Sequence, residues 1–557
     1  MSIPGVRISE MPDLGAVTDA TLFVSEKTGS GLISAMALRD YANAAVPGAI
    51  PGPTGPKGDT GPQGPKGDTG PVGPSGLAGA VNVLDHGAKV DGVTDDSAAL
   101  SAAIAAAIAA AHGNKVVVPM GRMLLGSAIT ATIPSGKTLV IEGMGAAGTE
   151  LYFSNATDGI NFTLTQSGGL WGSVDLRDFS IVRGPATPPI ANTGLTIGVP
   201  SGPMCNGPVI LRGLIVRGST APTPRTNQWQ RSIVLAGPNG AVIDGVTLYG
   251  IDGVATDRGD VLLSLSGGPA ANQYATSFNV IDCMMQGGST GIDIMGFVQG
   301  VLVSNCTIIG DYDGVRWFDD GSHLPEELAV VNCSLNAGHR GVHTSYVNSI
   351  SVSNSTILHF STSSAGFAGV EINNGFLNSL VGNNVVGQQS GPETGYIFSN
   401  CGNAANVVVG NTSTVTGACV HLVGNTSGST VVGNSASGAG AVVVQDTGGN
   451  TLYGNTGNGI ASVTGFHQPI GFWSADGTPR WFVGNDGATE APGDVGNDFE
   501  IIPAHNDGSL NATAVLRINR ASGKMTLAKL NLSGLPTSSA GLVVGDVWRN
   551  GTVLNIL

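Results

Sequence analysis

Between residues 278 and 457 one short phrase keeps returning, as VIDC, VSNC, VVNC, VSNS, VGNN, VVGNT, VVGNS and LYGNT. Its polar residue falls at Asp282, Asn305, Asn332, Asn354, Asn383, Asn411, Asn434 and Asn455, at intervals of 21 to 29 residues. A period of that length marks a solenoid, whose repeats bury their apolar faces only against one another. Each interval holds short β-branched runs broken by Gly, Asn and Ser and no helical periodicity, so every coil should consist of strands and turns. The expected body is a parallel β-helix.

Asparagine suits the bend of such a coil because its short amide tolerates unusual backbone angles and can hydrogen-bond the same residue one coil away. An asparagine ladder is expected, with the next residue facing inward: Cys283, Cys306, Cys333, Ser355, Asn384, Thr412, Ser435 and Thr456. Buried thiols behave as small hydrophobes, and six cysteines in 557 residues do not form a disulfide framework.

Composition agrees. The chain has 86 glycines and only 11% charged residues, as short strands and tight turns require. With a net charge of −15 and no run of Lys or Arg, a phosphate backbone would be repelled, which argues against nucleic acid as a partner. No apolar run approaches the ~20 residues of a membrane span, and MSIPGVRISEMPDLG lacks the basic and apolar regions of a signal peptide. The expectation is a protein made in a cytoplasm, without membrane insertion, cofactor or metal.

Taken in order, residues 1–46 form a small unit with turn signals at Gly29 and Gly31. From Gly52 to Gly79, glycine occupies every third position, ten times in register. Only glycine fits the axis where three polyproline-type chains meet, so residues 47–80 read as a collagen-like stalk and the chain as a homotrimer. Residues 81–465 would be the β-helix, opened by a helix near Asp95 or Asp96 with Leu100, Ile104 and Ile108 on one face, covering the open end. Residues 466–557 change to hairpin chemistry, a small β-rich module and tip.

Several phrases carry a resemblance. NVLDHGAKVDGVTDDSAAL and VVVPMGRMLL resemble the opening of the pectate-lyase-like superfamily found in phage tailspikes, which implies a right-handed β-helix. ISEMP with the closing LRDY resembles the virion-attachment start of phage tail fibres, and RWFVGNDG, LRINRASGKMTL and the final 26 residues resemble modules near fibre tips. The resemblance implies a virion tail protein, joined to tail or baseplate proteins through its N-terminus.

Aligning coils on GIDIMG, GVRWFD, GVHTSY and GVEINN puts Ile292, Val315, Val342 and Val370 inward and Asp293, Arg316, His343 and Glu371 outward as one column. Beside it runs GDYDGVRWFDDGSHLPEEL, which joins Asp311, Asp313, Asp319 and Asp320 with Tyr312, Trp317 and Phe318. Sugar sites use this mixture, since aromatic faces stack on pyranose rings and carboxylates bind hydroxyls or act as acid and base. Hydrolysis needs two carboxyls ~5–9.5 Å apart, so Asp313, Asp319, Asp320 and Glu371 are the catalytic candidates. Asp293, Arg316, Trp317, His343 and Trp229, the last beside Arg225 and Arg231, are the glycan-binding candidates. Arg316 or His343 would serve β-elimination on an acidic sugar instead. The expected function is recognition of a bacterial surface polysaccharide by a tail fibre or tailspike, with hydrolase or lyase action as its catalytic form. A non-catalytic virion fibre, whisker or adhesin is the alternative, ahead of a secreted pectin-degrading enzyme.

Overall fold

The computed structural model describes most of residues 79 to 456, apart from interstrand segments such as 186–191, 201–206, 221–226, 252–259 and 268–273. Elsewhere it describes short strands at Leu22–Val24, Leu32–Ser34 and between residues 460 and 556, with a few turn residues among the latter. The glycine-rich stalk up to residue 78, Arg225 and Asp311 lie outside the described residues. The chain divides into two units, Met1–Pro74 and Ser75–Leu557. In the first, Leu22–Val24 pairs antiparallel with Leu32–Ser34.

In the second unit the strands stack into three long parallel sheets. Sheet 1 has 14 strands, from Ala80–Asn82 to Thr451–Tyr453. Sheet 2 has 13, from Asp91–Asp95 to Ser435–Ala436, and sheet 3 has 13, from Ile129–Ile133 to Ile460–Ser462. The chain visits sheets 1, 2 and 3 in turn, as in Val298–Ser304, Thr307–Gly310 and Asp313–Phe318, then returns to sheet 1 at Glu326–Val331. This is a parallel β-helix, consistent with the right hand favoured by parallel crossovers. A separate antiparallel sheet of five strands runs from Ile470–Trp473 to Met525–Leu527, followed by the hairpin Val547–Asn550 and Val553–Ile556.

Helix α1, Ser97–Ala109, buries Leu100, Ala103, Ile104 and Ala107 against the first coils, through Lys115–Val117, Ile129–Ile133 and Thr138–Glu142. Ile108 is only half-buried. Asp95 accepts hydrogen bonds from the backbone N–H and hydroxyl of Ser97, whereas Asp96 turns back to the N–H groups of Lys89 (2.8 Å) and Val90 (2.9 Å).

The bend between sheets 1 and 2 corrects the expected ladder. Asp282, Asn305, Asn332 and Asn354 have left-handed backbones, φ 50° to 54°, and so do Gly382, Gly410, Gly433 and Gly454 in the following coils. The repeated phrase therefore changes register midway. Its asparagine is the exposed bend residue up to Asn354, and from Asn383 onward it is the inward residue after a glycine bend. The inward line reads Phe179, Leu214, Val246, Cys283, Cys306, Cys333, Ser355, Asn383, Asn411 and Asn434, all buried, and ends at half-buried Asn455. Asn384, Thr412 and Thr456 are exposed and Ser435 is half-buried, because each starts its sheet 2 strand or bridge on the outer face.

The ladder itself is regular. Asn383, Asn411 and Asn434 each donate a backbone N–H (2.9, 3.0 and 3.0 Å) and a side-chain N–H (3.0 Å each) to the Oδ1 of the next asparagine, 411, 434 and 455 in turn. A second line runs at the return to sheet 1: Asn378 donates its backbone and side-chain N–H to Asn406 Oδ1, the Asn406 amide donates to the Ser429 hydroxyl, and the Ser429 N–H donates to Asn450 Oδ1. Cys283, Cys306, Cys333, Cys401 and Cys419 are free and buried.

Candidate functional site

The glycine of each GV or GI phrase sits where sheet 2 turns into sheet 3. A Cβ on Gly314 would lie 2.6 Å from the Gly341 carbonyl, and one on Gly341 only 2.3 Å from Ile357. Only glycine permits that approach, and its stacking holds successive sheet 3 strands in register. Asp293 pairs with Arg316, Arg316 with His343, and His343 with Glu371, while Ile292, Val315, Val342 and Val370 are buried beneath them. The outward column is therefore present.

Its members are unequally accessible. Arg316 is 1% exposed and its Nε donates to Asp293 Oδ1 at 2.9 Å, with Asp293 itself 6% exposed. The guanidinium also lies 5.8 Å from the Phe318 ring. Arg316 and Asp293 thus form a buried ion pair rather than a contact surface. Trp317 also leaves the site. It lies on the inward face in register with Ile294 and Thr344 and is fully buried. Trp229 is a core residue as well, edge-on to Phe153 at 5.9 Å. Alternation along the strand explains the first case: Arg316 outward sends Trp317 inward.

Of the carboxyl pairs that Asp313, Asp319 and Asp320 offer, those with Asp313 fail on geometry, while Asp319 and Asp320 lie within 4.8 Å of each other. Asp313 opens and Phe318 closes one strand, so Asp313 and Asp319 stand roughly 20 Å apart along it at ~3.3 Å per residue. Asp319 shapes the turn that follows, accepting from the backbone N–H groups of Gly321 (2.8 Å) and His323 (3.3 Å) and contacting His323 Nδ1 at 3.0 Å. Asp320 is exposed, and its hydrogen bonds from Ser322 hold its carboxyl below the usual value. The turn is held down by Tyr274, whose hydroxyl donates to the His323 carbonyl at 2.5 Å, and by Phe297 against the His323 ring.

What the structure assembles is a cluster around Asp313. This carboxylate is 1% exposed, with Oδ1 at 3.4 Å from His339 Nδ1 and Oδ2 at 3.4 Å from His343 Nδ1. The other nitrogen of His343 faces Glu371 Oε1 at 3.8 Å. Glu371 is bound by Arg340 Nε and accepts from Asn373 at 3.1 Å. Arg340 also donates to the carbonyls of His339 (2.9 Å) and Gly366 (3.0 Å). Tyr312 stacks on His339 at 4.2 Å, and Phe318 meets His343 edge-on at 4.5 Å. Burial pushes the Asp313 carboxyl up, but His339 and His343 together outweigh it and leave it below its ordinary value. Glu371 follows the same pattern: burial raises it, and the charge of Arg340, the Asn373 hydrogen bond and His343 bring it below the usual glutamate value.

His343 thus stands between two carboxylates, one on each ring nitrogen, an arrangement that can take or deliver a proton at the outer face of sheet 3. Half-buried Tyr312 and Phe318 flank it with ring surface. His339 and Arg340 were not among the residues singled out from the sequence. The signal was present in AGHRGVH, one and two positions before the glycine of the aligned phrase, where Arg340 is in register with Asp313.

Residues 80–167 match the family model described as "Rhamnogalacturonase A/epimerase, pectate lyase-like". No curated protein matches the sequence. Among solved structures, the A-module of the Azotobacter vinelandii mannuronan C-5 epimerase AlgE6 is similar at 19% identity over 69% of this chain and 99% of that one, with a TM-score of 0.48. The Dettilon tailspike protein is similar at 12% identity over 79% and 80%, TM-score 0.47. The Streptococcus pneumoniae surface adhesin PfbA is similar at 15% identity over 78% and 99%, TM-score 0.45. The chain thus carries a pectate-lyase-like segment at residues 80–167, at the head of a parallel β-helix.

Proposed function

We propose that this protein is a homotrimeric phage tail fibre or tailspike whose β-helix binds a bacterial surface polysaccharide. Residues 1–46 attach it to tail or baseplate proteins, residues 47–80 form the collagen-like stalk, residues 81–465 carry the glycan site, and residues 466–557 form the tip. The observation that carries the glycan reading is the cluster on sheet 3: His343 between Asp313 and Glu371, with Tyr312 and Phe318 as half-buried ring faces beside it. Rings that stack and imidazoles that bond hydroxyls or carboxylates suit a sugar chain, and the acidic remainder of the molecule repels polyanions without such a site. The match at residues 80–167 to a family described by a rhamnogalacturonase and an epimerase supports polysaccharide chemistry. The strict Gly-X-Y frame from Gly52 to Gly79 supports the trimeric virion fibre over a secreted enzyme.

The test is binding of the purified full chain to capsule and lipopolysaccharide from a panel of hosts, with products assayed as new reducing ends or unsaturated sugars. Tyr312→Ala and His343→Ala should each weaken binding by tenfold or more while circular dichroism and melting stay near wild type. Retention of full binding by both variants would remove the site from this face. Binding without products would select the non-catalytic fibre.

A further inference from the structure

The contacts of Asp313 with two imidazoles have an unusual length. A charge-assisted N–H···O bond closes to ~2.7–2.9 Å, yet both Nδ1 atoms stand at 3.4 Å from the carboxylate oxygens. Donors bound at ~2.0–2.1 Å to a tetrahedral ion lie ~3.3–3.4 Å from one another. The two contacts fall on different oxygens of Asp313, and one carboxylate oxygen with one ring nitrogen from each of His339 and His343 lie within 4.8 Å of one another.

We propose that Asp313, His339 and His343 bind a divalent first-row transition ion, with zinc as the reference ion. Two imidazoles and a carboxylate are a borderline donor set that suits zinc and its neighbours and disfavours calcium and magnesium, which want oxygen alone. An outer shell surrounds these ligands: Glu371 stands 3.8 Å from the far nitrogen of His343, Arg340 anchors Glu371, and Tyr312 fixes the plane of His339 by stacking. Three protein donors leave a coordination position open on the outer face of sheet 3. A sugar hydroxyl or carboxylate would fill it. The ion site stands without the glycan reading, and its test uses no glycan, so failure of either is separable from failure of the other. The second group of ligand type, Asp319, Asp320 and His323, is less suited, because Asp319 already accepts two backbone N–H groups.

The experiment strips the full-length protein with a chelator, then titrates it with Zn2+ by calorimetry, counts bound ion by mass spectrometry, and records the visible spectrum with Co2+ as a coordination probe. One ion per chain is expected, with imidazole-ligand Co2+ bands. His343→Ala should abolish binding, and Glu371→Gln should weaken it ~10–100-fold. His323→Ala should leave it unchanged. Melting curves of the stripped variants confirm that each is folded. If folded wild-type protein takes up no Zn2+, takes up Ca2+ in preference, or loses binding with His323→Ala but not with His343→Ala, the assignment is wrong.

Discussion

Replacing Asn411 with leucine would strand the backbone N–H of Asn383 in the interior. The side chain is fully buried, accepts from the N–H of Asn383 (2.9 Å) and donates to the carbonyl of Leu380 (2.8 Å). Leucine has nearly the same size and can do neither. Other partners survive, since Asn383 Nδ2 still reaches the Val352 carbonyl and Asn434 Oδ1 still receives the Asn411 N–H. The Leu380 carbonyl keeps its place in the parallel ladder with Val407–Val409, so the one stranded N–H should cost about 1–3 kcal/mol. Asn354 gives the contrast, because it is exposed at φ 50° in the place that Gly382, Gly410 and Gly433 occupy in later coils. Asn354→Gly should change stability by no more than about 0.5 kcal/mol, and Asn354→Leu should cost ~1–2 kcal/mol from the left-handed backbone alone. A solenoid opens locally, so a global melt understates a single rung. Hydrogen exchange at the Asn383 amide is the sensitive assay. An Asn411→Leu protein whose Asn383 amide keeps wild-type protection would refute the ladder argument.

Arg316→Ala should destabilise the fold by ~3–5 kcal/mol, because it leaves Asp293 charged and buried, whereas a double Arg316→Met, Asp293→Leu variant should recover most of that loss in urea melts. Both carboxyls of the Asp313 cluster are held below their ordinary values, so their contribution is fully present above pH ~5 and is lost as pH falls through the depressed folded values. Acid melts of wild type should therefore steepen below pH ~5, and Asp313→Asn with Glu371→Gln should flatten that limb. Sedimentation of the full chain should give three times 55.8 kDa, and a monomer would overturn the trimeric reading.

The solenoid was legible because a β-helix writes its period into the sequence. The GV and GI phrases also located the sheet 3 column to the residue, since a stacked glycine is a fixed marker. What the phrase VxN concealed was its own shift: asparagine serves the left-handed bend at Asn332 and the buried rung at Asn411, two roles that one amide fills for different reasons. Trp317 misled because an aromatic residue beside acids suggests a sugar platform, and only strand parity says which face it takes; Trp229 misled because it lies in a long excursion beside arginines. For Arg316 the parity was right, but the ion pair with Asp293 and the neighbouring Phe318 ring go with its burial, and neither follows from periodicity. His339 went unnoticed because it lies just outside the aligned strand, in the connection from sheet 2.

The bend between sheets 1 and 2 keeps two residues between its strands from Asn305–Cys306 to Gly433–Asn434, while the other two corners vary freely in length. Two residues follow Gly310 before the next strand, but seven follow His359; two follow Ser345, and seven follow Phe318. In evolutionary terms the invariant corner works as a gauge. Insertions at the remaining corners leave the winding intact, so a lineage can rebuild the loops that flank sheet 3, and with them its target, while inheriting the same spine.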